Sequence, residues 1–338
     1  MRLLFITRKG DNHAGEPISY HGFEQAISKI ADCQFAGEGW PEHVPGEDMD
    51  NTVKRLYGND PPDWVIDKDN NLLNHKPQSK KYRVALFVSD LHGKYYYGIH
   101  NPLDYRELLD NAGYHAVFYR YAHICGTSYS TNMFWEIGAN CYWVPWSVDT
   151  KLFKSKTPWN KRKYDVTFIG SVFDVYHLRK LIVEKLPHID LPITRFIGTA
   201  PSGEIWTWAI DKLQKTHYVG QRYAELLDQS KILIFGSSIY RYPILKYFEG
   251  MASGCLVMAN EPTRARQLGL VDKSTYIEIN EDNWERKLEQ YLLPDRMEAE
   301  SIAKIGYDTA HKFHSHEFRA KEFIEILEKN EDTRSWVK

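Results

Sequence analysis

Tyr240-Arg-Tyr-Pro-Ile-Leu-Lys-Tyr-Phe-Glu-Gly-Met-Ala-Ser-Gly-Cys-Leu-Val-Met-Ala-Asn260 reads as a loop, a short helix, a glycine stop and a buried strand. Pro243 suits a first helical turn, where its missing N–H leaves nothing unpaired, and Gly254 suits a left-handed cap. Cys255 to Ala259 is a continuous apolar run, the pattern of a parallel strand covered on both faces. Ile244, Tyr247, Phe248 and Met251 recur at i, i+3, i+4, i+7, widened by Leu245 and Ala252. Lys246, Glu249, Gly250 and Ser253 share the remaining face at the same spacing, so Lys246 and Glu249 lie side by side. Spacing alone leaves two readings open: a weak ion pair in water, or an ionisable pair built into a site.

Outward from this segment, strands alternate with helices, which predicts an α/β architecture of parallel sheets covered by helices. In the first half, Arg2 to Thr7, Asp63 to Asp67, Val84 to Ser89, His115 to Tyr121 and Cys141 to Pro145 read as strands. Helical stripes run through Phe23, Ala26, Ile27 and Ile30 and through Tyr105, Leu108, Leu109 and Ala112. A glycine-containing loop joins Gly10 to Gly15, and long loops are expected between Ala36 and Lys80, where Pro, Asp and Asn accumulate. In the second half the strands are Asp165 to Ile169, Thr194 to Ile197, Ile232 to Phe235 and Tyr276 to Ile279. Helices are expected at Leu178 to Ile182, Ser202 to Lys212, Tyr223 to Leu227 and from Trp284 onward, ending in a stripe of Ala320, Phe323, Ile324 and Leu327.

Composition narrows the function classes. With 338 residues there is room for two domains, and 43% hydrophobic with 26% charged residues is ordinary for a globular protein. A net charge of −2 gives no basic footprint, which disfavours a nucleic-acid partner. Cys33, Cys125, Cys141 and Cys255 show neither zinc-like pairing nor disulfide density, which suits a reducing, cytoplasmic setting. No run approaches the roughly 20 apolar residues needed to span a bilayer, so membrane contact is expected to be peripheral at most. No metal site is expected. Asp48-Met-Asp50 has no apolar strand before it, Asp67-Lys-Asp-Asn-Asn71 continues with Leu72 where a calcium loop needs glycine, and His311, His314 and His316 suit a helix entry or the surface better than a metal.

The Tyr240–Asn260 segment resembles the sugar-nucleotide signature of GT-B glycosyltransferases of the family-four type and of spore-coat-type (CgeB-like) glycosyltransferases. The resemblance extends to Lys163-Tyr-Asp-Val-Thr-Phe-Ile-Gly-Ser171 with His177-Leu-Arg179, to Tyr223–Ile232, to Phe313-His-Ser-His-Glu-Phe-Arg319, and to the Val144-Pro-Trp-Ser-Val-Asp-Thr-Lys-Leu-Phe153 passage between the two domains. It implies two Rossmann-like doubly wound domains facing each other across a cleft: 1–150 on the acceptor side, 151–312 for the nucleotide sugar, and a helix at 313–338 crossing back. It implies a hexosyltransferase that moves a sugar from a nucleotide-diphosphate donor to a hydroxyl of a glycan, lipid-linked or small-molecule acceptor, retaining and without a metal or other cofactor. Glu249 takes the place of the glutamate that holds the donor ribose. Where many family-four enzymes carry a second glutamate eight positions earlier, this chain has Arg241, which leaves the donor sugar open and admits a non-catalytic binding protein, or an epimerase or phosphorylase, as alternatives.

A diphosphate leaving group held without metal needs cationic side chains and close main-chain approach, at the C-terminal ends of strands. Gly170-Ser171 supply the close approach, and Arg179 lies two helical turns on. Arg241 and Lys246 flank the signature helix as candidate catalytic cations. The Tyr218-Val219 loop is where the family would hold the base. On the acceptor side, Gly15 lies in the first loop, and His92 follows a strand as the candidate base should the reaction invert.

Overall fold

The computed structural model describes residues 1–7, 9, 19–68, 81–88, 113–121, 140–199, 213, 215–292 and 296–335. The described residues of Met1–Gly10, Glu24–Pro145 and Ala320–Lys338 form one compact unit, and those of Asp11–Phe23 and Trp146–Arg319 form a second. The expected helix at Tyr105–Ala112, the Gly10–Gly15 loop and the expected helix at Ser202–Lys212 lie outside the described residues.

The first unit is built on six strands: β1 (Arg2–Ile6), β2 (Asp32–Ala36), β3 (Trp64–Asp67), β4 (Arg83–Val88), β5 (Ala116–Tyr119) and β6 (Asn140–Trp143). They pair in parallel in the order β2-β1-β3-β4-β5-β6. Leu3, Leu4, Val65, Ile66, Val117 and Phe118 are wholly buried, as expected of strands covered on both faces. α1 (Ser19–Ile27) ends earlier than its stripe suggests, and Ile30 beyond it is exposed. The stretch expected to be long loops instead contains α2 (Met49–Tyr57), whose buried face is only Met49, Thr52 and Val53. Too few apolar positions mark it for periodicity to find. The Asp48 carboxylate caps this helix, accepting the Asn51 N–H at 2.7 Å, and Asp50 accepts the Tyr82 hydroxyl. Asp67, wholly buried, accepts the Tyr114 hydroxyl at 2.6 Å. β2 escaped the sequence reading because it is an edge strand in which exposed Asp32 and Gln34 interrupt the apolar pattern.

The second unit has β7 (Tyr164–Gly170), β8 (Arg195–Thr199), β9 (Ser230–Ile234), β10 (Leu256–Ala259) and β11 (Ile277–Glu278), parallel in the order β11-β10-β9-β7-β8. α3 (His177–Lys185), α4 (Gly220–Asp228), α5 (Leu245–Ala252), α6 (Trp284–Leu292) and α7 (Arg296–Phe313) complete it. The chain then enters α8 (His316–Lys329), whose later residues count with the first unit; there Phe323 packs 4.7, 5.9 and 6.4 Å from the rings of Phe118, Phe87 and Phe5.

α5 starts at Leu245 after an Ile244 cap, so Pro243 precedes the helix instead of lying in its first turn. Its apolar residues Tyr247, Phe248, Met251 and Ala252 are wholly buried. Most of the opposite face is buried too, with Lys246 partly exposed at its start. Glu249 is 6% exposed and Ser253 0%, so this side of the helix does not meet water as a surface ion pair would. Gly254 takes the left-handed conformation at φ +70, and the Arg162 guanidinium donates to the carbonyls of Ser230, Ser253 and Gly254 at 2.7–2.9 Å, placing a positive charge at the negative end of the helix.

The three histidines are structural. His311 Nε2 donates to the Ala252 carbonyl at 3.0 Å, and His314 donates from Nε2 to the Leu268 carbonyl at 2.8 Å. His314 Nδ1 accepts Arg319 Nη2 at 3.0 Å, and burial together with that arginine holds the imidazole well below its ordinary pKa. His316 does enter a helix, as expected, but buried and hydrogen-bonded to the Ser147 hydroxyl at 2.7 Å; the surface assignment fails for His314 and His316 because both close the α7–α8 turn from inside.

A Cβ on Gly250 would lie 2.7 Å from Leu233 Cδ2 and 2.7 Å from Val257 Cγ2, so α5 rests directly on β9 and β10 at this glycine. Gly250→Ala is expected to destabilise the protein by about 1–3 kcal/mol through overpacking, although alanine is the better helix former. Thermal unfolding of the variant checks this, and an unchanged or raised Tm would mean that the helix can lift off the sheet freely.

Candidate functional site

Strand order in the second unit reverses between β7 and β9, and the crevice outside the carboxyl ends at such a reversal is where open parallel sheets bind ligands. Arg179, from α3, spans this point. Its Nη1 donates to the Ser171 carbonyl after β7 at 3.1 Å, and its Nε donates to the Gly236 carbonyl after β9. The guanidinium stacks 3.7 Å from the Tyr176 ring centroid and is 4% exposed. Far from being a surface residue, Arg179 is locked across the two strand ends. Gly236 permits this: a Cβ there would fall 2.9 Å from Leu178 Cβ.

Lys246 reaches the same point from α5. A Cβ on Gly170, whose φ is +157, would lie 3.2 Å from Lys246 Nζ and 3.4 Å from Arg179 Nη1, so the bare face of the glycine opens onto two converging cations. Among the described residues neither cation has an ion-pair partner. Burial and then Arg179 push the Lys246 ammonium below its ordinary pKa, with Glu249 acting in the other direction. Burial pushes the Glu249 carboxyl up, and Lys246 pulls it down. Among the described residues the Glu249 carboxylate has no hydrogen-bond donor, so this acceptor, one turn along from Lys246, is unused. Tyr223 of α4 closes the group, with Lys246 Nζ 6.0 Å from its ring centroid. The sequence marked Tyr223 only as a helix-stripe residue; the signal available was a hydroxyl at a position facing the core.

Thus Gly170, Ser171, Arg179, Lys246 and Glu249 come together. Arg241 does not join them. It is exposed at φ +52, with its N–H bonded to the Ser238 carbonyl and its own carbonyl accepting Thr263 N, each at 2.8 Å. It lines a cavity of about 270 Å³ over the ends of β9, β10 and β11 together with His177, Ser237, Asn260 and Glu278. Tyr218 and Val219 precede α4: the Tyr218 ring meets Phe196 of β8 edge to face at 4.7 Å with the Arg222 guanidinium 4.2 Å from its centroid, and Val219 is the helix cap. His92 and Gly15 lie outside the described residues. Among the described residues no group of three or more His, Cys, Asp or Glu side chains could hold a metal, and no helix is long and apolar enough to cross a membrane.

No curated protein matches the sequence. Solved structures do match the fold: sucrose-phosphate synthase from Thermosynechococcus elongatus (TM-score 0.66, 12% identity, 98% of this chain and 99% of that one) and Anabaena HepE in complex with UDP and glucose (0.64, 12%, 97% and 99%). An alpha-glucosyltransferase matches in complex with UDP (0.62, 12%, 97% and 99%) and also with UDP and a 13-mer DNA (0.60, 11%, 97% and 99%). A family model described as "Glycosyl transferase-like" matches residues 179–325, from the arginine that spans the strand ends, through the signature helix, into α8. Residues 179–325 are similar to a glycosyl transferase-like family, and the chain has the GT-B fold.

Proposed function

We propose that this protein transfers a sugar from a uridine-diphosphate donor to a hydroxyl of a glycan, lipid-linked or small-molecule acceptor, with retention and without a metal. The observation that carries this reading is the convergence of Lys246 and Arg179 on Gly170 at the strand-order reversal, with Glu249 one turn further along the same helix. Arg179, fixed by two carbonyls, offers an oriented guanidinium, and Lys246 offers a point charge; together they take the diphosphate against the bare Gly170 face. Glu249 accepts the ribose hydroxyls. Tyr218 and Val219 hold the base. UDP follows from the UDP complexes of the structural relatives. Arg241, over the ends of β9 to β11, is assigned to the donor sugar, in the place that many relatives give to a glutamate.

In the reaction the bond from the anomeric carbon to the β-phosphate oxygen breaks, and a bond to the acceptor oxygen forms on the same face of the sugar. The acceptor proton passes to the departing phosphate oxygen, so no protein nucleophile is needed. Negative charge grows on the phosphate as the bond breaks, and Lys246 and Arg179 meet it there. This is charge stabilisation of the kind a divalent cation provides in other transferases, and it is why chelation is expected to leave the activity intact. Loss of transfer in EDTA with recovery in Mn²⁺ would overturn the metal-free reading. Because one structural relative was solved with DNA, the acceptor panel should include oligonucleotides beside sugars and lipid-linked glycans.

Lys246→Met is expected to lower turnover roughly a hundredfold, with a smaller effect on apparent donor binding, since the phosphate charge is greatest in the transition state. Glu249→Ala is expected to weaken UDP binding roughly ten- to a hundredfold with the fold intact. Calorimetry with UDP and steady-state kinetics on one donor check both. Donor binding with no turnover on any acceptor, water included, would instead mark a binding protein.

Buried Glu249 and half-buried Lys246 also predict a pH dependence of stability. The Glu249 carboxyl is raised above its ordinary value of 4.5, so as pH climbs from there toward neutrality the unfolded chain loses the proton before the folded one, and the native state loses stability. Lys246 is lowered from 10.5, so its contribution is lost as pH falls from that value. The Tm of the ligand-free wild type relative to Glu249→Gln is therefore expected to fall between about pH 4.5 and 7 and then level. A pH-independent difference would show that the carboxylate is solvated.

A further inference from the structure

Tyr223 presents a problem that the reading above leaves unsolved. The residue is 8% exposed on α4, its ring fixed edge to face against Phe153 at 5.8 Å and 74°. Its hydroxyl is buried without a hydrogen-bond partner among the described residues. A buried hydroxyl without a partner costs the fold stability that phenylalanine in the same space would not. The ring borders Lys246, whose Nζ is 6.0 Å from its centroid, and Glu249 and Arg179 both act on the phenol electrostatically. Burial, followed by Glu249, raises its pKa well above the ordinary value, so at neutral pH the phenol keeps its proton and is a hydrogen-bond donor.

Among the described residues the phenol has no acceptor and the two cations have no ion-pair partner, and an oxygen-rich anion would serve all three. Among the described residues Glu249 is the one carboxylate that acts on it electrostatically, and it is not within hydrogen-bond reach. We propose that Tyr223 is a ligand-binding residue whose hydroxyl donates to the diphosphate of the nucleotide, beside Lys246 and Arg179. This rests on the donor reading given above and adds a neutral donor to its two cations. Tyrosine then stands at an inward helix position because the bound state needs the hydroxyl, at the expense of the ligand-free fold.

The test is Tyr223→Phe in the full chain, with Tm measured without ligand and affinity measured for UDP and for uridine. The expected result has three parts: Tm rises by roughly 2 °C or more as the unmatched group is removed, the Kd for UDP rises roughly ten- to a hundredfold, and the Kd for uridine is unchanged. Unchanged UDP affinity overturns the proposal while leaving the donor reading in place. A lowered Tm with equal losses for UDP and uridine also overturns it, because that pattern belongs to a packing residue or a ribose contact. A wild-type protein that binds no UDP overturns the donor reading and, with it, this proposal.

Discussion

Lys246 and Arg179 converge on Gly170 and repel one another, a constraint that the packing of the second unit has to hold. The two nitrogens lie 3.2 and 3.4 Å from one point, so they are less than about 7 Å apart, which at an effective dielectric near 20 corresponds to repulsion of at least about 2 kcal/mol. Burial adds to it. Glu249 offsets part of the charge, drawing the Lys246 ammonium back up as burial and Arg179 push it down. Under the proposed reading the same geometry favours a bound diphosphate, and the free energy that holds the two cations together comes from packing elsewhere.

That packing is visible on every side of α5. Its apolar face is wholly buried, Gly250 lets it rest on β9 and β10, and Arg162 meets the carbonyls at its far end with three hydrogen bonds. Arg179 is immobilised by carbonyls from two strand ends and by the Tyr176 ring, so little of its freedom remains to be lost on binding. Preorganised charge of this kind is effective because the reorganisation has been completed during folding.

Much of this was legible in the sequence because it rests on local rules. The apolar runs of β4, β7, β9 and β10, the glycine at 254 and the i, i+3 relation of Lys246 and Glu249 follow from periodicity and backbone sterics. What was not legible depends on long-range placement. Nothing local distinguishes a surface arginine from Arg179, whose partners Ser171 and Gly236 are 8 and 57 residues away. Arg241 and Lys246, five residues apart, look like natural partners in sequence, yet Arg241 takes a left-handed turn and lines the cavity over the ends of β9 to β11. α2 was hidden because its buried stripe is short, and His314 and His316 because the turn they close is formed by contacts with Leu268 and Ser147.

Arg241 shows how a departure from a family pattern can be read physically. A non-glycine residue in the left-handed region costs roughly 1 kcal/mol or more, and glycine or asparagine would relieve it. Here the conformation is held from both sides by the Ser238 carbonyl and the Thr263 amide, so the loop enforces it. Under the proposed reading, exchanging a glutamate for this arginine reverses the polarity of recognition: a carboxylate accepts from sugar hydroxyls, whereas a guanidinium can only donate to their oxygens or to a negative group on the sugar. Under that reading the exchange is therefore a change in what the site can pair with, and the turn that holds the Arg241 backbone beside the cavity keeps the residue where that change is felt.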